Sequence, residues 1–372
     1  MTPPATMTSS TESTTTMQQP HKQGAPAGGT LLSRLFQQPL AKPVAALFAL
    51  LLIDLIFIPG FFRLEWKDGH LYGAVIDIAN RAAPLMLAAL GMTLVIATRG
   101  IDISVGAVVA LSGTVAAMLI GGTLQMNDGV PTYVANTPML WALCAAMGAA
   151  VLCGAWNGLL VSTLGLQPIV ATLILMVAGR GLAQLLTDGQ IVTVYYQPFF
   201  FIGSGYLFGL PFSLYIVAGV FIGVALMMRK TALGLFIQAV GINPVAARLA
   251  GLKTGALIFF VYVFCSACAG MAGLMVSSNI KSADANNAGL LLELDAILAV
   301  TLGGTSLAGG KFSLAGSLIG ALIIQTLTYT IYSLGVPPEV NMVVKSVVVF
   351  LVCLSQSPEF RQVWKRIKGA AA

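Results

Sequence analysis

The chain has 372 residues, of which 57% are hydrophobic and only 9% charged, and its mean hydropathy is +0.90. A water-soluble domain carries about 25% charged residues because water must solvate its surface, so this composition excludes a soluble globule and makes lipid the main solvent. The net charge of +6 does not point to nucleic acid, because the lysines and arginines lie at the ends of apolar segments, where they orient helices in a bilayer.

Residues 1–40 are rich in Thr, Ser, Pro, Gln and Gly, a composition that predicts a disordered polar tail. They lack the basic start, short apolar core and small-residue cleavage site of a signal peptide, so the apolar stretch after Pro43 is expected to be a retained anchor. Apolar runs near the length that crosses about 30 Å of hydrocarbon then follow at 43–62, 82–98, 104–122, 139–164 and 168–186. Five more lie at 212–228, 256–278, 292–307, 312–334 and 340–354. This pattern predicts an all-α polytopic bundle of about ten transmembrane helices over 41–357. A loop at 229–255 interrupts the bundle, and a basic tail, 358–372, follows it.

Ten spans put both termini on one side. That side receives Lys22, Arg34, Lys42, Arg99, Arg229, Lys230, Arg248, Lys253 and Lys311, then Arg361, Lys365, Arg366 and Lys368. The other side receives Arg63, Lys67, Arg81 and Lys281. The positive-inside rule therefore predicts cytoplasmic termini. GxxxG spacings at Gly154/Gly158, Gly219/Gly223 and Gly316/Gly320 are expected to let helix backbones approach closely, though glycine is also simply common in membrane helices. The five cysteines (Cys144, Cys153, Cys265, Cys268, Cys353) all fall in apolar stretches and make no secreted disulfide framework. Cys265-Ser-Ala-Cys268 has redox spacing, but inside an apolar helix its sulfurs read as small packing residues. His21 and His70 are far apart and isolated, so no metal site is expected.

Three stretches carry more than hydrophobicity. In the first, Gly91-Met-Thr-Leu-Val-Ile-Ala-Thr98 runs into Arg99-Gly-Ile-Asp-Ile-Ser-Val-Gly106, so one helix stops and another begins almost at once. Gly100 suits the tight connection, and Asp102 or Ser104 suits the free amides of the next helix start. A capped turn and a direct transport role for Asp102 both fit. In the second, Gly241-Ile-Asn-Pro-Val-Ala-Ala-Arg-Leu-Ala-Gly251 predicts a helix of about two turns, with Asn243 as cap, Pro244 in the first turn and Gly251 at the stop. A small face of Ala246, Ala247 and Ala250 suits a groove on a partner, or the helix is held only by its own bundle.

The third stretch is Ala283-Asp-Ala-Asn-Asn-Ala-Gly289, followed by Glu293-Leu-Asp295 and Gly303-Gly-Thr-Ser-Leu-Ala-Gly-Gly-Lys-Phe312. Two carboxylates two residues apart on a helix diverge by about 200°, so Glu293 and Asp295 make no general acid/base pair. The glycine run lacks the Lys-Ser/Thr order of a phosphate loop, so this chain is not expected to hydrolyse ATP itself.

Together these stretches resemble the permease subunits of sugar-importing ATP-binding-cassette (ABC) transporters of the ribose/xylose/galactofuranose group, over roughly residues 75–355. The segments Leu94-Val-Ile-Ala-Thr98, Gly100-Ile-Asp-Ile-Ser-Val-Gly106, Glu293-Leu-Asp-Ala-Ile-Leu-Ala-Val300 and Gly303-Gly-Thr-Ser-Leu307 carry the resemblance. Ala283-Asp-Ala-Asn-Asn-Ala-Gly289 with Asn80-Arg-Ala-Ala-Pro84 is similar to galactofuranose-type members. One departure is Arg99, where the family usually has glycine.

The resemblance implies a type II-like importer permease in the bacterial inner membrane, paired with a second permease chain as homodimer or heterodimer. It also implies partner ATPase subunits that bind ATP and Mg, a periplasmic sugar-binding protein, and no cofactor on this chain. Residues Gly241, Asn243, Pro244, Ala246, Ala247, Arg248 and Gly251 fall where the family has its ATPase-coupling helix. The candidates for the substrate path are Asp102, Asp284, Asn286, Asn287, Glu293 and Asp295. Few charges lie within the spans, which suits a neutral sugar better than an ion. Asp54, Arg180 and Lys345 are the exceptions, and each reads equally as a functional group, a structural pair or a snorkelling charge. An ion-coupled secondary transporter or channel is the competing reading, kept open by Asp54. A membrane-embedded enzyme would need a nucleophile with its base, or a metal cluster.

Overall fold

A computed structural model describes residues 40–354, except 68, 128–129, 338–339, 341, 345, 348–349 and 352–353. Both polar tails, Lys345 and Cys353 therefore lie outside the described residues.

Helix α1 (Ala41–Phe57) leads into a β1–β2 hairpin (Glu65–Lys67, His70–Tyr72), then α2 (Ala74–Ala97) and α3 (Val105–Ile120). A second hairpin, β3–β4 (Thr123–Asn127, Val130–Val134), precedes α4 (Met139–Ser162) and α5 (Pro168–Leu186). Next come β5 (Val192–Thr193), α6 (Gln197–Ser204), the hairpin β6–β7 (Tyr206–Leu207, Leu210–Pro211) and α7 (Phe212–Lys230). The 229–255 loop holds two helices, α8 (Leu233–Ile242) and α9 (Pro244–Leu249). The long α10 (Thr254–Ile280), β8 (Ser282–Ala283), α11 (Leu292–Leu302) and α12 (Leu314–Ser333) complete the described elements. From 340 to 354 every described residue is helical.

Among the described residues six helices are long and apolar enough to cross a membrane: α2, α4, α5, α7, α10 and α12. The expected ten spans are thus only partly matched by helix length. Helix α1 has 17 residues, α3 has 16 and α11 only 11. The α11 helix stops short of the predicted 307 because Gly303 ends it and Gly304 turns left-handed at φ 88°, a conformation that glycine adopts without cost. The fold is helical as expected, with short pairings in its connections. Among the described residues four small two-stranded sheets join helix ends, pairing β1–β2, β3–β4, β6–β7 and, across the chain, β5–β8. Connecting backbone must find partners where helices stop, and the Asn127-Asp-Gly129 sequence was the hairpin signal that reading by apolar runs passed over.

Helix α2 begins at Ala74, eight residues before the apolar run. Polar Asp77, Asn80 and Arg81 belong to it, with the Arg81 guanidinium donating to Asp77 one turn back at 2.8 Å. From Ala82 to Ala97 almost every α2 side chain is buried, so this helix is surrounded by protein. The α10 helix packs against α4, α2 and α3. Glycines set how close it comes: a Cβ at Gly154 would lie 2.8 Å from Val263 Cα, and one at Gly158 3.1 Å from the Phe259 carbonyl oxygen. Gly316 and Gly320 likewise fit against Gly303 and Ala299 of α11. Gly219 and Gly223 on α7 have nothing within 4 Å, so that spacing packs no helix among the described residues. Cys265 and Cys268 are free and buried in α10, where Cys265 lies against Gly91 of α2, as packing residues should.

Candidate functional site

The site grows from the non-helical connection between α2 and α3. Asp102 is fully buried there. Its carboxylate accepts the Ser104 backbone N–H at 3.0 Å and the Ser104 hydroxyl at 2.6 Å. Asn157 of α4 donates its amide to the Ser104 hydroxyl oxygen at 2.9 Å and to Asp102 at 3.5 Å. The Thr172 hydroxyl of α5 accepts the Ile103 N–H at 3.2 Å. Three segments are therefore tied to one turn by polar contacts that have no water to compete with them. Tyr262 and Cys265 of α10 face the same carboxylate, with the Cys265 thiol in hydrogen-bonding reach of Asp102, while the Asn157 Oδ1 and the Tyr262 hydroxyl are buried without a partner among the described residues.

Of the two residues expected to meet the free amides at the start of α3, Asp102 does so through the Ser104 N–H. Ser104 occupies the N-cap position without a side-chain cap bond, because its hydroxyl is turned to Asp102. Glu293 of α11, 4% exposed, sits over the backbone of Gly106 in the first turn of α3. A carboxylate at a helix N-terminus meets free amides and the positive end of the dipole. Any side chain at position 106 would collide with the Glu293 carboxylate and the Gly289 carbonyl. Asp295 is only half-buried, as the divergence of the two carboxylates requires.

The segment after β8 is a closed hydrogen-bonded loop. Asp284 accepts the backbone N–H groups of Asn286 and Asn287 at 2.9 and 3.1 Å and the Asn287 side-chain amide at 2.7 Å. Partial burial works against its charge, but these donors and the nearby Arg180 outweigh it and hold the carboxyl below the usual range. A group with a lowered pKa loses its contribution only as pH falls through that lowered value, so the loop stays closed well into mild acid. Arg180 of α5 donates to the carbonyls of Ala285, Asn286 and Ala288 at 3.2, 2.7 and 3.2 Å, and Gln184 donates to Asn286 Oδ1 at 2.7 Å. Arg180 is thus a clamp. Arg180→Ala is expected to strip about 2 kcal/mol of charge-assisted bonding from the loop, read as at least tenfold faster amide exchange at residues 285–288 than in the unaltered chain.

Asp54, the residue that kept ion coupling open, is buried against α12, where its carboxylate accepts the Thr330 hydroxyl at 2.6 Å. Among the described residues no three His, Cys, Asp or Glu side chains converge as a metal centre requires.

Beyond the C-terminus of α2 a second assembly of residues forms around α8 and α9. Asn243 accepts the N–H groups of Val245 and Ala246, each at 3.0 Å, and so caps the six-residue α9. Pro244 fills its first turn, and Gly251 turns left-handed at φ 88° after its end. Arg248 reaches the Thr254 hydroxyl at 3.4 Å. The small face expected to point outward does not do so as a unit: Ala247 is 5% exposed and packs inward, while Ala246 and Ala250 are exposed. The outward surface is apolar and larger, with Leu249 86% and Val245 67% exposed.

Behind α9, Gly241 lies against the Ala97 carbonyl and Gly310, the Gly310 N–H donates to Ala97 at 2.9 Å, and the Arg99 guanidinium donates to the Ile242 carbonyl. Sequence reasoning missed this three-way junction. Its signal was the double glycine 309–310, whose backbone packs against Arg99, Gly241 and Ile242.

Residues 74–353 match the family described as branched-chain amino acid transport system / permease component. The chain is 49% identical to the galactofuranose transporter permease protein YtfT of Escherichia coli K12, over 91% of this chain and 96% of that protein. It is 38% identical to the fructose import permease protein FruF of Bifidobacterium longum, over 93% and 95% of the two chains. It is 37% identical to the ribose import permease protein RbsC of E. coli K12, over 84% and 92%. No solved structure matches. A match over three quarters of the chain, with relatives alike along nearly their whole lengths, means that this protein belongs to that family of transport-system permeases.

Proposed function

We propose that this chain is the transmembrane permease subunit of an ABC importer for a neutral monosaccharide of the galactofuranose type. It works in the bacterial inner membrane with a second permease chain, homologous or identical. The observation that carries this reading is α9: a helix too short to stand alone, capped by Asn243, anchored through Ala247 and showing Leu249 and Val245 outward. A partner ATPase that closes on ATP and Mg has there an apolar knob to hold. Pulling α9 moves α8 and the end of α2, and so biases which side of the paired bundles is open.

The six long helices, with α1 and α3 close to span length, support a polytopic bundle, and α11 with the described helical residues between 340 and 354 would complete about ten segments. The distribution of lysine and arginine supports cytoplasmic termini, with α9 on the cytoplasmic face. A periplasmic sugar-binding protein then meets the opposite end. The names of the relatives support a sugar as cargo. Hydroxyl-rich cargo needs hydrogen-bonding groups, and the exposed Asn286 and Asn287 amides of the 284–287 loop are of that kind.

The test is purification of the tagged chain from mild detergent, identification of what accompanies it, and reconstitution in liposomes. Sugar uptake that requires the ATPase, ATP and the binding protein is the expected result. Uptake by the chain alone, driven by an ion gradient, would replace this reading with a secondary transporter.

A further inference from the structure

We propose that Arg99 is a positioning residue that locks the α9 end of the protein to the buried Asp102 turn, so that motion of α9 is passed into the bundle. The inference rests on the permease reading above.

Four observations meet at this residue. Its guanidinium donates to the carbonyl of Ile242, the last residue of α8 and the neighbour of the α9 cap Asn243. That is a charge-assisted bond made to the negative end of a helix, where a cation is favoured twice over. The Arg99 stem lies against Gly309, where a Cβ would collide with Arg99 Cγ and come 3.0 Å from the Gly241 carbonyl. Next to it the Gly310 N–H closes on Ala97 at 2.9 Å.

The Arg99 backbone itself is left-handed, at φ 65°, a conformation that a side-chain-bearing residue keeps only where its surroundings hold it. Two residues are left between Arg99 and Asp102, and the far end of this turn is fastened by Ser104, Asn157 and Thr172. A link so short and pinned at both ends transmits displacement, where a free loop would absorb it. Glycine would satisfy the backbone at position 99 at less cost, so what the arginine adds here is the bond its head group makes to Ile242.

The experiment compares the wild-type complex with Arg99→Gly and Arg99→Lys in proteoliposomes containing the ATPase and binding-protein partners, and measures sugar imported per ATP hydrolysed. Arg99→Gly suits the left-handed turn and removes the tether together with the stem packed on Gly309, whereas Arg99→Lys keeps most of that stem. The glycine variant is expected to assemble with the ATPase and melt at the wild-type temperature while its import per ATP falls about five- to tenfold, the size of one coupling interaction. Arg99→Lys, which keeps a donor, is expected to recover part of the loss.

A wild-type ratio in Arg99→Gly would overturn the proposal. So would a loss of assembly or thermal stability that accounts for the fall, because Arg99 would then be merely structural. An Arg99→Lys variant that recovers nothing counts against the Ile242 carbonyl as the point held. If the wild-type complex itself shows no ATP-dependent uptake, the permease reading fails, and this inference fails with it.

Discussion

Leu249→Glu is expected to abolish transport, lowering ATP-dependent uptake by about a hundredfold or more, while the chain still inserts and keeps its fold. Leu249 is 86% exposed, so folding has little to lose. A partner that covers it gains roughly 2 kcal/mol from burying a leucine. Replacing it with an unpaired carboxylate removes that gain and adds a desolvation cost of several kcal/mol. Every 1.4 kcal/mol is tenfold in affinity, hence the size of the effect. Co-purification of the ATPase checks it directly: retention of the ATPase at wild-type levels would remove α9 from the docking surface. Ala247 is the wrong position for this test. It packs inward, so a bulky residue there disturbs the chain before it reaches any partner.

Gly241→Ala is expected to be among the most damaging single methyl groups in the protein. The added Cβ would sit 2.5 Å from the Gly310 nitrogen and closer still to the Ala97 carbonyl oxygen. Both are backbone atoms held in a hydrogen bond to one another, so no side-chain rotation relieves the clash. The cost is that of overpacking with a backbone shift, about 3 kcal/mol or more, and it falls on the junction that joins α2, α8 and the glycine loop. The expected readouts are a lowered melting temperature and uptake reduced at least tenfold. Gly219→Ala and Gly223→Ala supply the contrast: nothing lies within 4 Å of either. Both are expected to leave the melting temperature of the isolated chain unchanged and to raise the helix propensity of α7 slightly. Equal losses in all three variants would show that glycine is needed for reasons other than contact.

Local chemistry was legible wherever one residue decides it. Asn243 followed by Pro244 specified the start of α9, and the apolar runs placed α4, α5, α7, α10 and α12 within a few residues. The extent of α2 was less legible, because its first turns carry Asp77, Asn80 and Arg81, whose polarity is accommodated by a bond within the helix and by the Ser213 hydroxyl from α7. The roles of single charges were hidden as well. Arg180 reads in sequence as an isolated intramembrane cation, yet it clamps three carbonyls more than a hundred residues away. Asp54 reads as a possible ion relay, yet Thr330 from the far end of the chain binds it.

By itself the sequence determined that lipid surrounds this protein, because 9% charged residues cannot solvate its surface. It also determined where most helices lie, because span length and glycine or proline stops are local properties. Only the tertiary structure decided which glycines are contacts. Gly154 and Gly219 share one spacing motif, and the difference is whether another backbone arrives within 4 Å. Only the tertiary structure decided that Glu293 of α11 joins Asp102 at the start of α3, and that Arg99, Gly241 and Gly310 meet behind α9. Such meetings depend on how helices distant in sequence cross, which no local pattern encodes.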